Sequence, residues 1–178
     1  MCAYGRQKKH ETQEHLLSGY RSCKTAVGVT GTIALFTCRI WLLREVLVLK
    51  SIEVVAAIIH DGKRVFATQR SYGEFAGGWE FPGGKIEPGE TAEQALIREI
   101  HEELDTNIGV ERLVCTIEHD YETFHLVMHC FLSVLDGSAP KLLEHSDAKW
   151  VDHSDINSID WLPADIKVID VLRREGIV

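Results

Sequence analysis

The chain has 178 residues, 45% of them hydrophobic, enough for one globular domain with a real core and something to spare. Its formal charge of −8 is uneven: residues 1–50 hold eight Lys/Arg against three Asp/Glu, and the remainder eleven against twenty-four. So acidic a body excludes duplex nucleic acid as the main partner, because phosphate backbones are bound through clustered Lys and Arg. A small polyphosphate escorted by divalent cations stays compatible.

The first 45 residues read as an appendage to a domain over residues 46–178. They carry the opposite charge sign, no Pro, three of the five cysteines and no clear period. The expectation is a disordered extension or a stretch upstream of the true start codon; a membrane-surface or partner-binding tail is the alternative. Residues 25–38 form an uncharged, largely apolar run of 14 ended by Arg39, shorter than the roughly 20 residues a membrane helix needs. With polar residues before it and no small-residue cleavage site after it, the run does not read as a signal peptide. No membrane association is expected. Cys2, Cys23, Cys38, Cys115 and Cys130 include no C-x-x-C pair, which suggests neither a zinc site nor a disulfide framework and fits a reducing cytoplasm.

From Ile52 the pattern becomes regular. Ile52 to Ile59 is a strand-like apolar run, Asp61-Gly62 is a two-residue hairpin signal, and Val65 to Thr68 is the expected return strand. The Gly-rich segment Gly77 to Gly84 leads into a helix over Thr91 to Leu104, opened by the capping box Thr91-x-x-Gln94. Strands follow at Leu113–Glu118, Phe124–Leu135 and Lys149–Val151, and Ala164 to Arg174 reads as a closing amphipathic helix. Cys115 and Cys130 fall in predicted strands and are assigned to the core. Mixed strands with two helices indicate an α+β fold, a three-layer sandwich.

Within the first helix, Glu99, Glu102 and Glu103 are three and four residues apart, which confines them to about 100° of arc. Leu96, Ile97, Ile100 and Leu104 occupy the adjacent arc as the expected buried stripe. Like charges at this spacing destabilise a bare helix, so a cation should compensate. Clustered hard oxygen ligands suit Mg²⁺. Taken alone, the helix also reads as an ordinary solvated Glu-rich helix with an Arg98/Glu102 pair. Upstream, Gly83-Gly84-Lys85 and Pro88-Gly89-Glu90 can bring backbone carbonyls and an ammonium close to the carboxylate face, since glycines permit close backbone approach.

Gly84, five residues, Glu90, seven residues, then Arg98-Glu99-Ile100-x-Glu102-Glu103 resembles the Nudix box at every charged position. The span from about Ile52 to Leu172 looks like the MutT and CTP pyrophosphohydrolase branch of that family, the 8-oxo-dGTP diphosphatase type. It includes Trp79 to Lys85 and Leu162-Pro163-Ala164-Asp165; residues 1–45 have no counterpart. The match departs where the family's Gly is Asp105, a left-handed helix stop for which Asp or Asn is the least costly substitute.

The resemblance implies an α/β/α sandwich with a mixed β-sheet, an acidic Nudix helix and a C-terminal helix. It implies Mg²⁺, with Mn²⁺ a possible substitute, held by the Gly84 carbonyl, Glu99, Glu102 and Glu103, with Glu144 a further acid on a loop. Arg98 would orient the glutamates and Glu90 brace the loop. Lys85 and Arg70 would contact phosphate, unless they are simple surface charge. Glu99 is the first choice of general base and Glu144 the second. Asp165, with apolar support from Phe81 or Trp161, would read the base, ionised and offering acceptors only; its alternative role is to cap the last helix. His101, His119, His125, His129 and His145 show no recurring metal-ligand spacing and are assigned to packing or surface.

The implied function is hydrolysis of canonical or oxidised (deoxy)nucleoside triphosphates to monophosphate and pyrophosphate, in nucleotide-pool sanitation and DNA repair, by a monomer or homodimer. Alternatives are hydrolysis of another nucleoside diphosphate-X, such as a sugar nucleotide or dinucleoside polyphosphate, and a nucleotide-sensing module without turnover. A sensor would normally lack one of the glutamates, and none is missing.

Overall fold

The computed structural model describes residues 49–178; the expected appendage lies outside the described residues. The elements run β1 (Lys50–Ile59), β2 (Arg64–Gln69), β3 (Trp79–Glu80), α1 (Ala92–Leu104), β4 (Ile108–Asp120), β5 (Phe124–Leu135), β6 (Asp147–Asp152), a 3₁₀ turn (Ile156–Ser158) and α2 (Pro163–Arg174). They make a mixed sheet in the order β1-β5-β4, with β1 parallel to β5 and β4 antiparallel to it, and an antiparallel sheet in the order β3-β2-β6. Among the described residues no helix is long and apolar enough to cross a membrane.

The continuous apolar run of β1 is explained by burial on both faces. Val55, Ala57 and Ile59 pack with Phe131 of β5 against Ala95, Leu96, Ile100 and Leu104 of α1. Ala56 and Ile58, facing the other way, join Met128, Cys130, Val151 and the α2 residues Val168, Ile169 and Leu172. Each fully buried Leu, Ile or Val contributes roughly 1.5–3 kcal/mol, so α1 is fastened to the sheet by its stripe. The stripe is rotated from the expected one: Ala95 is buried and Ile97 is 44% exposed. A 3.6-residue period leaves Ile97 on the outer flank once Leu96 and Ile100 point inward.

The expected β1–β2 hairpin is corrected. The two strands belong to different sheets and meet only at one bridge, His60 to Val65. The Asp61-Gly62 turn does form, with Asp61 accepting from the Lys63 and Arg64 amides. The Gly-rich loop supplies β1 with partners along its edge instead: Val55 N–H donates to Gly84 O (2.8 Å), Ala57 N–H to Pro82 O (2.8 Å) and Ile86 N–H to Glu53 O (3.2 Å). β4 is longer than expected and carries register shifts between Val110 and Arg112 and between Leu113 and Cys115.

Candidate active site

The start of α1 carries the capping box: Gln94 N–H donates to Thr91 Oγ1 (3.2 Å) and Thr91 N–H to Gln94 Oε1 (2.9 Å). The helix ends at Asp105 in the left-handed region (φ 46°, ψ 40°), its N–H on His101 O and its carboxylate on Lys141 Nζ at 2.7 Å. Between these ends the phase set by the buried stripe turns Glu99 and Glu103 toward the Gly-rich loop and leaves Glu102 beside them, more exposed.

Two glycines let that loop approach. A Cβ on Gly83 would strike the Val55 backbone, and its φ of 149° disfavours L side chains. A Cβ on Gly84 would occupy the Glu99 carboxylate, which lies directly against the Gly84 backbone. The Gly84 carbonyl accepts from Val55 N–H, which leaves its second lone pair available.

Arg98 ties the carboxylates together. Its Nε and Nη2 donate to the two oxygens of Glu90 (2.8 and 2.9 Å), Nη1 donates to Glu99 (2.9 Å) and Glu102 (3.1 Å), and Nη2 also reaches Lys85 O (3.0 Å). A bidentate guanidinium–carboxylate pair is charge-assisted and fixed in geometry. Its hydrogen bonds hold Glu90 down at about 2.

Glu103 is set apart, 9% exposed and accepting from Gly83 N–H at 3.1 Å. Burial pushes its carboxyl up to about 7; Glu80 and Glu99 add to the rise, while His145 and the Gly83 amide oppose it. Glu80, equally buried, accepts both Nε (3.1 Å) and Nη2 (2.6 Å) of Arg70. Arg70 is therefore committed to a carboxylate. Glu144 is exposed on the loop before β6; its carbonyl accepts from Ser71 Oγ, and it lines a small cleft with Arg70, Tyr72, Glu80, Glu103 and His145.

Of the five expected metal ligands, Glu99, Glu102 and Glu103 share the α1 face, the Gly84 backbone lies against Glu99, and Glu144 lies in the cleft beside Glu103; among the described residues no three His, Cys, Asp or Glu side chains already form an ion-holding set. Arg98 draws Glu99 and Glu102 onto itself, and Gly83 holds Glu103. The donors present do fit a hard divalent cation. All are oxygens, Glu99 abuts the Gly84 backbone, and the Glu102 side chain, 56% exposed, has room to turn.

Beside this rim lies a cavity of about 330 Å³. Arg70 and Lys85 line it on the polar side, Lys85 being exposed and Arg70 held by Glu80. Asp165, 4% exposed, reaches it from the first turn of α2 and accepts from Phe81 N–H at 3.0 Å. Leu162 occupies the N-cap position with no side-chain cap, so the capping alternative for Asp165 falls. Burial pushes the Asp165 carboxyl up to about 8, which favours the neutral acid, a form that offers a donor as well as acceptors. The shift runs against the expected ionised, acceptor-only form. Phe81 stacks on Trp161 with centroids 4.9 Å apart, and Trp161 Nε1 donates to Ile156 O.

Sequence reasoning missed three parts of this site. Tyr121 stacks on Phe124 (4.7 Å) and meets Phe75 (5.0 Å), forming an aromatic wall to the cavity. Glu80 is the partner of Arg70. His145 is buried beside Glu80 and Glu103; its one sequence signal was its place next to Glu144. His101 lies on the exposed side of α1, while His125 and His129 are partly buried on β5.

The NUDIX domain family matches residues 50–172. The chain is 41% identical over 85 residues to the 8-oxo-dGTP diphosphatase of Proteus vulgaris, covering 47% of this chain and 76% of the relative. It is 34% identical over 123 residues to the CTP pyrophosphohydrolase of Escherichia coli K12, covering 68% and 91%. With the 8-oxo-dGTP diphosphatase of that organism it shares 31% over 128 residues, covering 71% and 99%. Among solved structures, the E. coli ORF135 protein superposes with a TM-score of 0.62 at 32% identity, covering 72% of this chain and 92% of that one. A MutT NUDIX hydrolase from Burkholderia pseudomallei gives 0.63 at 26% identity, covering 69% and 98%. With its box, its fold and its relatives in agreement, the chain belongs to the MutT-like branch of the Nudix hydrolase family.

Proposed function

We propose that this protein hydrolyses canonical or oxidised (deoxy)nucleoside triphosphates to nucleoside monophosphate and pyrophosphate in the cytoplasm, as a nucleotide-pool hydrolase. The observation that carries the reading is the adjacency of two unlike surfaces. A rim of hard oxygen donors on α1 and the Gly83–Gly84 loop borders a largely apolar cavity that contains Asp165. Polyphosphate suits the first and a nucleobase the second. Similar proteins are named 8-oxo-dGTP diphosphatase and CTP pyrophosphohydrolase.

Magnesium, with manganese as a substitute, would be held by the Gly84 carbonyl, Glu99, Glu102, Glu103 and Glu144. When bound it would polarise phosphorus and lower the pKa of a coordinated water. Arg98 keeps Glu99 and Glu102 oriented while Glu90 braces its guanidinium. Glu99, against the loop backbone, is the first candidate to take the proton of the attacking water, with Glu144 the second. Lys85 stands free to meet phosphate, and Arg70 can do so from its pairing with Glu80. Phe81, backed by Trp161, and the Phe75–Tyr121–Phe124 wall give the base apolar faces, and Asp165 reads its polar edge.

The test is magnesium-dependent release of pyrophosphate from a panel of canonical and oxidised NTPs and dNTPs, run in ¹⁸O water. Label in pyrophosphate is expected, from attack at the β-phosphorus. Turnover of sugar nucleotides or dinucleoside polyphosphates in preference to every triphosphate would reject the reading.

A further inference from the structure

The geometry points to His145 as a positioning residue that sets the separation of the buried Glu80 and Glu103 carboxylates, and so fixes Glu103 relative to the Gly83–Gly84 loop. This rests on the reading of Glu103 as part of the metal-binding rim. The imidazole is 5% exposed, with Nε2 at 3.6 Å from Glu80 Oε1 and 4.0 Å from Glu103 Oε1. These separations are longer than hydrogen bonds. The ring edge therefore acts as a polar spacer between two acids that would otherwise face each other in a poorly solvated cleft, where like charges repel most strongly.

The backbone keeps the ring in place from both sides. Leu143 N–H donates to the backbone carbonyl of Glu103 (2.9 Å), Ser146 N–H donates to that of Gln69 (3.0 Å), and Ser71 Oγ donates to that of Glu144. The loop is thus pinned to α1 on one side and to β2 and its following turn on the other. His145 stands between Glu80 on β3 and Glu103 on α1.

A packing role is the competing explanation. It fits poorly, because Nδ1 of His145 is, among the described residues, the one buried side-chain N or O atom without a hydrogen-bond partner. An apolar side chain of the same size would avoid that unsatisfied group. The neighbours of the ring are also polar: Arg70, Tyr72, Glu80, Glu103 and Glu144 line the same cleft.

His145→Phe and His145→Gln separate the two roles. Phe keeps a ring of similar volume without polar atoms, whereas Gln keeps a polar tip and sacrifices the ring. The first readout needs no metal and no substrate: the Gly83 amide, which donates to Glu103 Oε2, serves as a reporter in the ¹H–¹⁵N spectrum of the full chain. His145→Phe is expected to shift the Gly83 resonance, weaken Mn²⁺ binding by about tenfold and lower kcat by about 10- to 100-fold at little-changed KM. These sizes are those typical of groups that orient metal ligands. His145→Gln is expected to restore most of each. Should His145→Phe fail to fold, His145→Gln decides alone, a Gly83 resonance and Mn²⁺ affinity close to the parent's supporting the assignment. The proposal is overturned if His145→Phe leaves Gly83 and Mn²⁺ affinity unchanged, or if His145→Gln disturbs both. A chain that hydrolyses no nucleotide yet gives these Gly83 and Mn²⁺ responses would reject the proposed function alone.

Discussion

The amide of Phe81 donates to Oδ1 of Asp165 across 3.0 Å, joining the residue that follows β3 to the first turn of α2. Oδ1 of Asp165 is thereby occupied, which leaves Oδ2 as its second polar atom. As the neutral acid, that second oxygen both donates and accepts; in Asn it becomes an amide nitrogen that only donates. Asp165→Asn is therefore expected to change the ratio of kcat/KM between cytosine and guanine nucleotides by about tenfold or more, a ΔΔG‡ of roughly 1.4 kcal/mol, with the metal requirement intact. Uniform slowing of every nucleotide would assign base selection elsewhere.

The same carboxyl makes stability depend on pH. Its folded value, about 8, lies above its ordinary 3.8, so the folded state holds the proton more tightly than the unfolded chain. The stabilisation is complete below about 3.8 and is lost as pH rises toward about 8. Asp165→Asn removes a group that must ionise in a buried setting. Its Tm relative to the parent chain should climb between pH 5 and pH 8, on the order of those two limits, and then level off. Parallel melts across that range check this, and a constant Tm difference would show that Asp165 does not titrate there.

Glu102 stands on the acidic rim with its side chain largely in solvent, so its loss should spare the fold. Glu102→Gln is expected to leave Tm within about 2 °C, since exposed substitutions usually act within ±0.5 kcal/mol. It should lower kcat at saturating Mg²⁺ by at least about 10²-fold, the order seen on removing one preorganised electrostatic contact. Turnover close to that of the parent chain would sink its assignment as a metal ligand.

β1 begins at Lys50 and the family match begins at residue 50. A chain starting near Val46 is expected to keep both kcat/KM and Tm. A marked fall in either would show that residues 1–45 contribute to the domain.

What could be read from the sequence was local. The arc of Glu99, Glu102 and Glu103, the Thr91–Gln94 capping box and the left-handed stop at Asp105 all follow from contacts within one helix and its ends. The box spacing added Gly84, Glu90 and Arg98. What could not be read depended on distant partners. The Asp61-Gly62 turn was recognisable, but the edge partner of β1 is the Pro82–Ile86 loop, and no pattern near the turn specifies that. Ile97 fitted an apolar stripe as well as Ala95 did, and only the sheet beneath α1 chose between them. Glu80, Glu103 and His145 meet because β3, α1 and the loop before β6 converge, and none of the three carries a local sign of the others. The raised pKa of Asp165 is likewise a product of burial.

The hydrogen bonds between the Gly-rich loop and β1 also bear on how this protein fails. Gly84 O, Pro82 O and the Ile86 amide cover the free edge of a strand whose sequence, Val54-Val55-Ala56-Ala57-Ile58-Ile59, is uncharged and strongly apolar. Uncovered, such an edge is a template for pairing with other chains. A lesion that frees the loop would disturb the acidic rim and bare this strand in the same event, which couples loss of the site to exposure of an aggregation-prone edge.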